Sequence, residues 1–303
     1  MPRRALRTLG LVCALMGLFA LPLTEPATAE RTDEPPVIGP AHGDTLQVMS
    51  FNLRFASDRG PNSWRQRRPA MAQLLRREQP TVLGTQEGLY AQLRDIEDDL
   101  PGYYDWIGEG RGGGSRDEFM AVYYDSRRLE PVAFDHFWLS DTPNVVASTS
   151  WGNETARMVT WVRFADRRTG AELVVLNTHF DDQSDNARLR SAQLVRDRIN
   201  GFAPGLAVVL TGDFNAPAER SATYDTLVTG AGLSDSWLAA AHRRTPRYTT
   251  WHDYRPLREN GRRIDWILTR GPVTVRAAAI NTFTRDGQFP SDHLPVQALI
   301  TVG

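Results

Sequence analysis

In "LAVVLTGDFNA", residues 206–216, five apolar residues run in succession from Leu206 to Leu210 and then give way to Asp213 and Asn215. The run has the pattern of a strand buried on both faces. Side chains alternate along a strand, so Asp213 and Asn215 face one way and Phe214 the other. The pattern recurs. "VMSFN" ends on Asn52, "TVLGTQE" on Glu87, and "LVVLNTH" on Asn177 and His179, again two apart. "RRIDWIL" sets Asp265 in an apolar strand, and "SDHLPVQALI" places Asp292 and His293 just before the last one. One such residue is an ordinary turn former. Repetition at successive strand boundaries requires a sheet whose strand ends gather their side chains at one edge, where α/β proteins build their sites.

The remaining pattern agrees with α/β layers. Strands are expected at 46–51, 81–85, 119–124, 158–164, 173–176, 206–210, 263–268 and 296–302. Leu89, Leu93, Ile96 and Leu100 form one helical stripe, ending at Pro101. Leu189, Ala192, Val195 and Ile199 form a second, stopped at Asn200-Gly201. A third helix, 63–78, is expected to be interrupted near its start by Pro69. Strands separated by helices, mixed with adjacent strand pairs, indicate partly antiparallel sheets. With no repeat or long linker, residues 46–303 read as one domain behind a flexible, proline-bearing lead-in at 30–45.

Residues 1–29 read as a secretory signal peptide. Arg3, Arg4 and Arg7 precede an apolar stretch from Leu9 to Leu23, and Ala27-Thr28-Ala29 is a small-residue cleavage site. The stretch is short for a membrane span. Cleavage near Ala29 would remove Cys13, the only cysteine, which excludes disulfides and thiolate chemistry. It would also remove three arginines and one glutamate, taking the formal charge from -1 to -3. All 35 basic residues are arginine, yet the balance carries no global basic field for nucleic acid. The mature chain is expected outside the cytoplasm, as a monomer.

Glu87, Asp213, Asp292 and Asn52 are hard oxygen donors, suited to Mg²⁺, Mn²⁺ or Ca²⁺ rather than zinc. His179 and His293 are natural proton carriers near neutral pH. Asp265 on one nitrogen of His293 would fix its tautomer and raise its basicity. A metal, a His/Asp pair and amide donors can together neutralise a pentacoordinate phosphorus and activate water. The glycine-rich "GEGRGGGS", 108–115, has no P-loop lysine and reads as a mobile loop.

"FNLR", "TQEG", "NTHFD", "TGDFNA", "RIDWIL" and "SDHLPV", in this order over residues 46–302, resemble the endonuclease/exonuclease/phosphatase superfamily of metal-dependent phosphoesterases. "WLSDTP", "RMVTW" and "GRRIDWI" resemble its secreted bacterial branch. The resemblance implies a DNase I-like four-layer sandwich, two mixed β-sheets face to face with helices outside. It implies Glu87 as principal metal ligand, with Asn52 and Asp292 beside it. It implies Asp213 and Asn215 on the attacking water, His179 on the scissile phosphate, and His293, oriented by Asp265, as base or transition-state donor. Arg157, Asn177 and Glu118 are implied near the substrate. Arg54 departs from the pattern where some branches carry a second acidic residue. His136, His242 and His252 read as structural or exposed, His252 standing nearest to a cleft.

The substrate class stays open at this level. A nuclease needs phosphate-tracking arginines along a groove, and a lipid-headgroup phosphodiesterase needs an exposed docking hairpin, for which 137–151 with Phe137, Trp138 and Trp151 is the candidate. A small-molecule phosphatase needs neither. A binding-only protein would be expected to have lost a histidine or the metal glutamate.

Overall fold

A computed structural model describes residues 35–303, so the expected signal peptide lies outside the described residues. The elements, in chain order, are β1 Thr45–Asn52, α1 Trp64–Glu78, β2 Val82–Gln86, α2 Tyr90–Asp99, β3 Tyr104–Ile107, β4 Val122–Asp125, β5 Leu129–Trp138, β6 Met158–Asp166 and β7 Glu172–His179. They continue as α3 Asp185–Asn200, β8 Ala207–Asp213, α4 Ala222–Val228, β9 Ser234–Asp235, α5 Ser236–Ala239, β10 His242–Arg243, β11 Asp265–Arg270, β12 Val273–Ile280 and β13 Val296–Val302.

The strands form two mixed sheets, ordered β10-β12-β13-β1-β2-β4-β3 and β5-β6-β7-β8-β11-β9. Alternation along each strand divides its side chains between two packing layers. Val48, Val82, Val175, Val209 and Ile267 meet in the core between the sheets. Their neighbours Val208, Leu210, Trp266 and Leu268 pack outward with Val195 and Ile199 of α3. Met49, Phe51 and Leu83 pack outward with Met71 and Leu74 of α1. The result is the expected sandwich of two β-sheets flanked by helices.

Polar contacts set the spacing of the sheets. Asn177 Oδ1 accepts from Gln86 Nε2 at 2.7 Å and Thr211 Oγ1 at 3.1 Å, and its Nδ2 donates to the carbonyls of Thr85 and Ala121 at 2.7 and 3.0 Å. The sheets are so close here that a Cβ on Gly84 would lie 2.2 Å from Thr211 Oγ1. Glycine is needed at that crossing.

Two expectations change. α1 runs unbroken through Pro69, which forfeits a single backbone donor. Residues 37–39, read as part of a flexible lead-in, are fastened by their N–H groups to the buried Glu78 carboxylate at 2.8–3.1 Å. Asn281 and Gln297 complete its shell at 2.9 and 2.8 Å. A buried carboxylate demands such donors, and among the described residues no arginine pairs with this one.

Candidate active site

Strand register builds the site. His179 ends β7 opposite Asp213, which ends the parallel β8. Asp213 in turn lies opposite Asp265, which opens the antiparallel β11. The three form one row across adjacent strands, on the face turned toward the other sheet. From that other sheet Asn52, the last residue of β1, donates to Asp213 Oδ2 at 3.0 Å and to Glu87 Oε1 at 2.8 Å.

Glu87 follows β2, and strict alternation would send it outward, opposite to Gln86. It instead adopts φ 63°, a left-handed conformation that turns its carboxylate to the rim. There Oε2 accepts from the Phe55 N–H at 2.9 Å. Asn215 does the same after β8 at φ 48°, donating to the Phe180 carbonyl at 3.0 Å and to His179 Nε2 at 3.1 Å. Such backbone conformations cost about 1–3 kcal/mol each and persist where surrounding contacts enforce them. Because Asn215 donates to Nε2, the proton of neutral His179 sits on Nδ1, which has no hydrogen-bond partner.

His293 enters from the loop before β13. Its Nδ1 lies 3.0 and 3.2 Å from the two Asp265 oxygens, and its Nε2 is 3.8 Å from Asp213 Oδ2. Ser291 moors this loop to the end of β1, donating to the Asn52 carbonyl at 2.7 Å and accepting from His293 N at 3.1 Å. Arg67 of α1, fully buried, donates to the carbonyls of Leu53 at 2.7 Å and Pro290 at 2.8 Å. It thereby joins the segment after β1 to the segment before Ser291. A backbone bridge between Trp251 and His293 fixes a third loop alongside.

Glu87, His179, Asp213, Asn215, Trp251, Asp292 and His293 line a cavity of about 540 Å³, together with Arg111, Glu118, Arg157 and Asp182. Arg111 pairs with Glu118 at 2.8 Å, and Arg157 donates to Asp182 at 2.7 Å. Arg157 Nε and Nη1 are buried without hydrogen-bond partners. Arg111 stands in the glycine-rich loop read from sequence as merely mobile. The loop is instead tightly folded, since a Cβ on Gly110 would lie 2.1 Å from the Arg116 carbonyl oxygen.

The titrating groups are pushed apart. Burial and the Asp265 charge raise the Asp213 carboxyl, against the opposing pull of His293, the Asn215 N–H and Asn52. Burial disfavours the His293 imidazolium, but Asp265, Asp213 and Asp292 together overcome it and raise that group. His179 goes the other way, lowered by burial and then by Arg157, His293 and Arg111. Burial raises Glu118 to about 7, with Glu87 adding to the shift and Arg111 opposing it.

The structure brings together Asn52, Glu87, Arg157, His179, Asp213, Asn215, Asp265, Asp292, His293 and Glu118. Asn177 is the exception. Both its donors and both its acceptor positions are spent tying the sheets, so it is a structural residue and not a substrate contact. Asn52 is in place, but its oxygen accepts from the Arg54 N–H at 2.9 Å and its nitrogen faces the carboxylates, so the amide must turn to offer oxygen to a cation. Phe137, Trp138 and Trp151, the aromatic residues of the candidate docking hairpin, are buried, while Val145 and Val146 of the same segment are exposed. His242 is exposed, while His252 is buried beside the site. Arg67, Arg111, Trp251 and Ser291 escaped sequence reasoning; of these only Arg111, a lone arginine among glycines, carried a local signal.

The donor set fits a hard divalent cation. Ligand atoms of Glu87, Asp213 and His293 converge within 4.8 Å of one another, and Asp292 lines the same wall. Oxygen predominates and thiolate is absent, which suits Mg²⁺, Mn²⁺ or Ca²⁺.

Comparison with known proteins follows this geometry. The model of the Endonuclease/Exonuclease/phosphatase family matches residues 49–293. An endonuclease/exonuclease/phosphatase from Bacteroides vulgatus is 29% identical with a TM-score of 0.80, the match covering 86% of this chain and 99% of that one. The mannosyl-6-phosphatase of Bacteroides thetaiotaomicron is 32% identical with a TM-score of 0.77, over 84% of this chain and 99% of its own. The human Nocturnin catalytic domain, 18% identical with a TM-score of 0.67 over 89% of this chain and 100% of its own, shares the fold. No match emerges among curated proteins.

The raised Glu118 has a consequence for stability. Its folded pKa, about 7, exceeds the ordinary 4.5, so the folded state holds this proton more tightly than the unfolded chain does. The associated stability is complete below pH 4.5 and is lost as pH rises through 7. Glu118→Gln keeps its amide neutral throughout. Thermal melting of the two proteins at pH 5 and pH 8.5 is expected to show the variant gaining on wild type at the higher pH, and a constant difference would contradict the buried, neutral-favouring environment.

Proposed function

We propose, from the premise that the chain belongs to the Endonuclease/Exonuclease/phosphatase family and hydrolyses phosphoester bonds, that its substrate is a phosphate monoester of a small polar alcohol, such as a sugar phosphate. The observation that carries this reading is the pair of arginines in the cavity wall. Arg111 and Arg157 are largely buried, held by Asp117 and Glu118 and by Asp181 and Asp182 respectively, and Arg157 keeps donors without hydrogen-bond partners. A monoester brings a second negative charge that a diester lacks, and guanidinium groups match phosphoryl oxygens geometrically. The mannosyl-6-phosphatase relative supports the same substrate class.

The chemistry is assigned to the residues in these roles. Asp213, its carboxyl raised toward neutrality, accepts the proton of the attacking water, which Asn215 helps to place. His179 serves the scissile phosphate as a hydrogen-bond donor. His293, held cationic by Asp265, donates to the charge that develops in the transition state. Both groups are raised, the Asp213 carboxyl toward neutrality and the His293 imidazolium above it, so the first can take a proton and the second can give one. Glu87 and Asp292, with Asp213 in reach and Asn52 beside them, would hold a divalent cation, here proposed as Mg²⁺. When bound it supplies neutralisation of phosphoryl charge.

Hydrolysis of p-nitrophenyl phosphate and bis-p-nitrophenyl phosphate tests the reading. The monoester is expected to be turned over in Mg²⁺, with activity abolished by EDTA and restored by excess metal. His293→Ala and Asp213→Asn are each expected to lose about 10²–10⁴-fold in kcat. Preferential cleavage of the diester would overturn the monoester assignment, and EDTA-resistant turnover would overturn the metal.

Export belongs to the same proposal. It is supported by the basic, apolar and small-residue succession of residues 1–29. Among the described residues no helix is long and apolar enough to cross a membrane. N-terminal sequencing of protein recovered outside the cytoplasm is expected to begin at Glu30; retention of Met1 would refute cleavage.

A further inference from the structure

A second cavity, about 490 Å³, adjoins the catalytic one. The two share Trp251 and Ile264 as a common wall. The new cavity is otherwise marked by His252, Arg255, Arg258 and Arg262, all from the loop between β10 and β11. Arg255 is paired with Asp253 at 2.9 Å. Arg258 and Arg262 form no ion pair among the described residues, so the cavity carries surplus positive charge.

The loop is built to hold these groups in place. Thr249 N donates to the Arg258 carbonyl at 2.8 Å and Thr250 N to the Arg262 carbonyl at 3.2 Å, making a ribbon of the two arms. Gly261 lets the arms touch, since a Cβ there would overlap Thr249 Oγ1 at 1.6 Å. His252 and Asp253 both donate from their backbone N–H to the Asp292 carbonyl, at 2.9 and 3.2 Å, which braces the loop directly against the catalytic segment.

His252 forms part of the inner wall. It is only 6% exposed, and its ring packs on Phe289 with centroids 4.4 Å apart. Trp251, 48% exposed, stands at the junction as an apolar face past which a substrate must run.

We propose that this cavity is an anion subsite. It takes a second negatively charged group, a phosphate in the first instance, carried on the leaving-alcohol side of a substrate whose scissile phosphate lies in the catalytic cavity. Arg258 and Arg262 bind that group, His252 packs behind it, and Trp251 covers the connecting carbon skeleton. The inference rests on the monoester reading above. It narrows that reading from sugar phosphates at large to compact bisphosphorylated alcohols.

The test compares glucose 6-phosphate with glucose 1,6-bisphosphate and fructose 1,6-bisphosphate on the full chain and on Arg258→Gln/Arg262→Gln. In the wild type at least one bisphosphate is expected to show kcat/KM about tenfold or more above the monophosphate, through KM, as a charge-assisted contact supplies. The double variant is expected to erase that advantage while leaving glucose 6-phosphate and p-nitrophenyl phosphate unchanged. Equal KM values in the wild type, or an equal loss on every substrate in the variant, would overturn the subsite. If no monoester is turned over, the monoester reading falls and calorimetric binding decides the subsite separately. Tighter bisphosphate binding that the double variant abolishes upholds it, and indistinguishable binding of the two sugars rejects it.

Discussion

Four carboxylates converge where the two sheets end, and this concentration of negative charge governs the molecule. Asp213 and Asp265 face each other across one strand pair, while Glu87 and Asp292 arrive from the other side. Burial penalises each charge and proximity penalises them together. The Asn52 amide and the His293 imidazolium relieve part of that cost. The remainder makes the site attractive to a divalent cation. A fold that did not need such chemistry would lower its energy by replacing these groups with apolar ones.

Holding the carboxylates there takes a polar scaffold beneath the rim. Asn177 and Gln86 bind the sheets at the one level where Gly84 lets them approach. Arg67 gathers the loops that carry the site, contacting the carbonyls of Leu53 and Pro290 from a position sealed from solvent. A carbonyl left unpaired there would cost about 1–3 kcal/mol. Rigidity of the site thus comes from hydrogen bonds to main chain, and the helices outside the sheets supply the apolar packing that keeps water from them.

Much of this was legible in the sequence because two periodicities coincide. Apolar alternation located eight of the strands, and the side chains released at their ends proved to share one edge in space. The strands that escaped are β3, β5, β12 and the two-residue β9 and β10. β5 is an edge strand with Glu130, Val132, Ala133, Phe134 and Asp135 exposed or half-exposed, so burial leaves little trace in its composition. β12 is alanine-rich, a poor advertisement for a strand. Asn177 misled because its place at i-2 from His179 is that of a site residue, and only the opposite sheet reveals that its amide is already spent. Arg67 was invisible for a related reason: it acts across contacts distant in the chain, and nothing local separates it from the many surface arginines.

The central proposal is that the converging carboxylates hold a divalent cation at the meeting edge of the sheets. The most direct measurement is the anomalous diffraction of crystals of the full chain grown with Mn²⁺, for wild type and Glu87→Gln. The account predicts a wild-type peak bonded to Glu87, with Asp292 or Asp213 completing the set, and its loss or marked weakening in the variant. A peak elsewhere, or one in the same place that survives loss of the Glu87 charge undiminished, would contradict it.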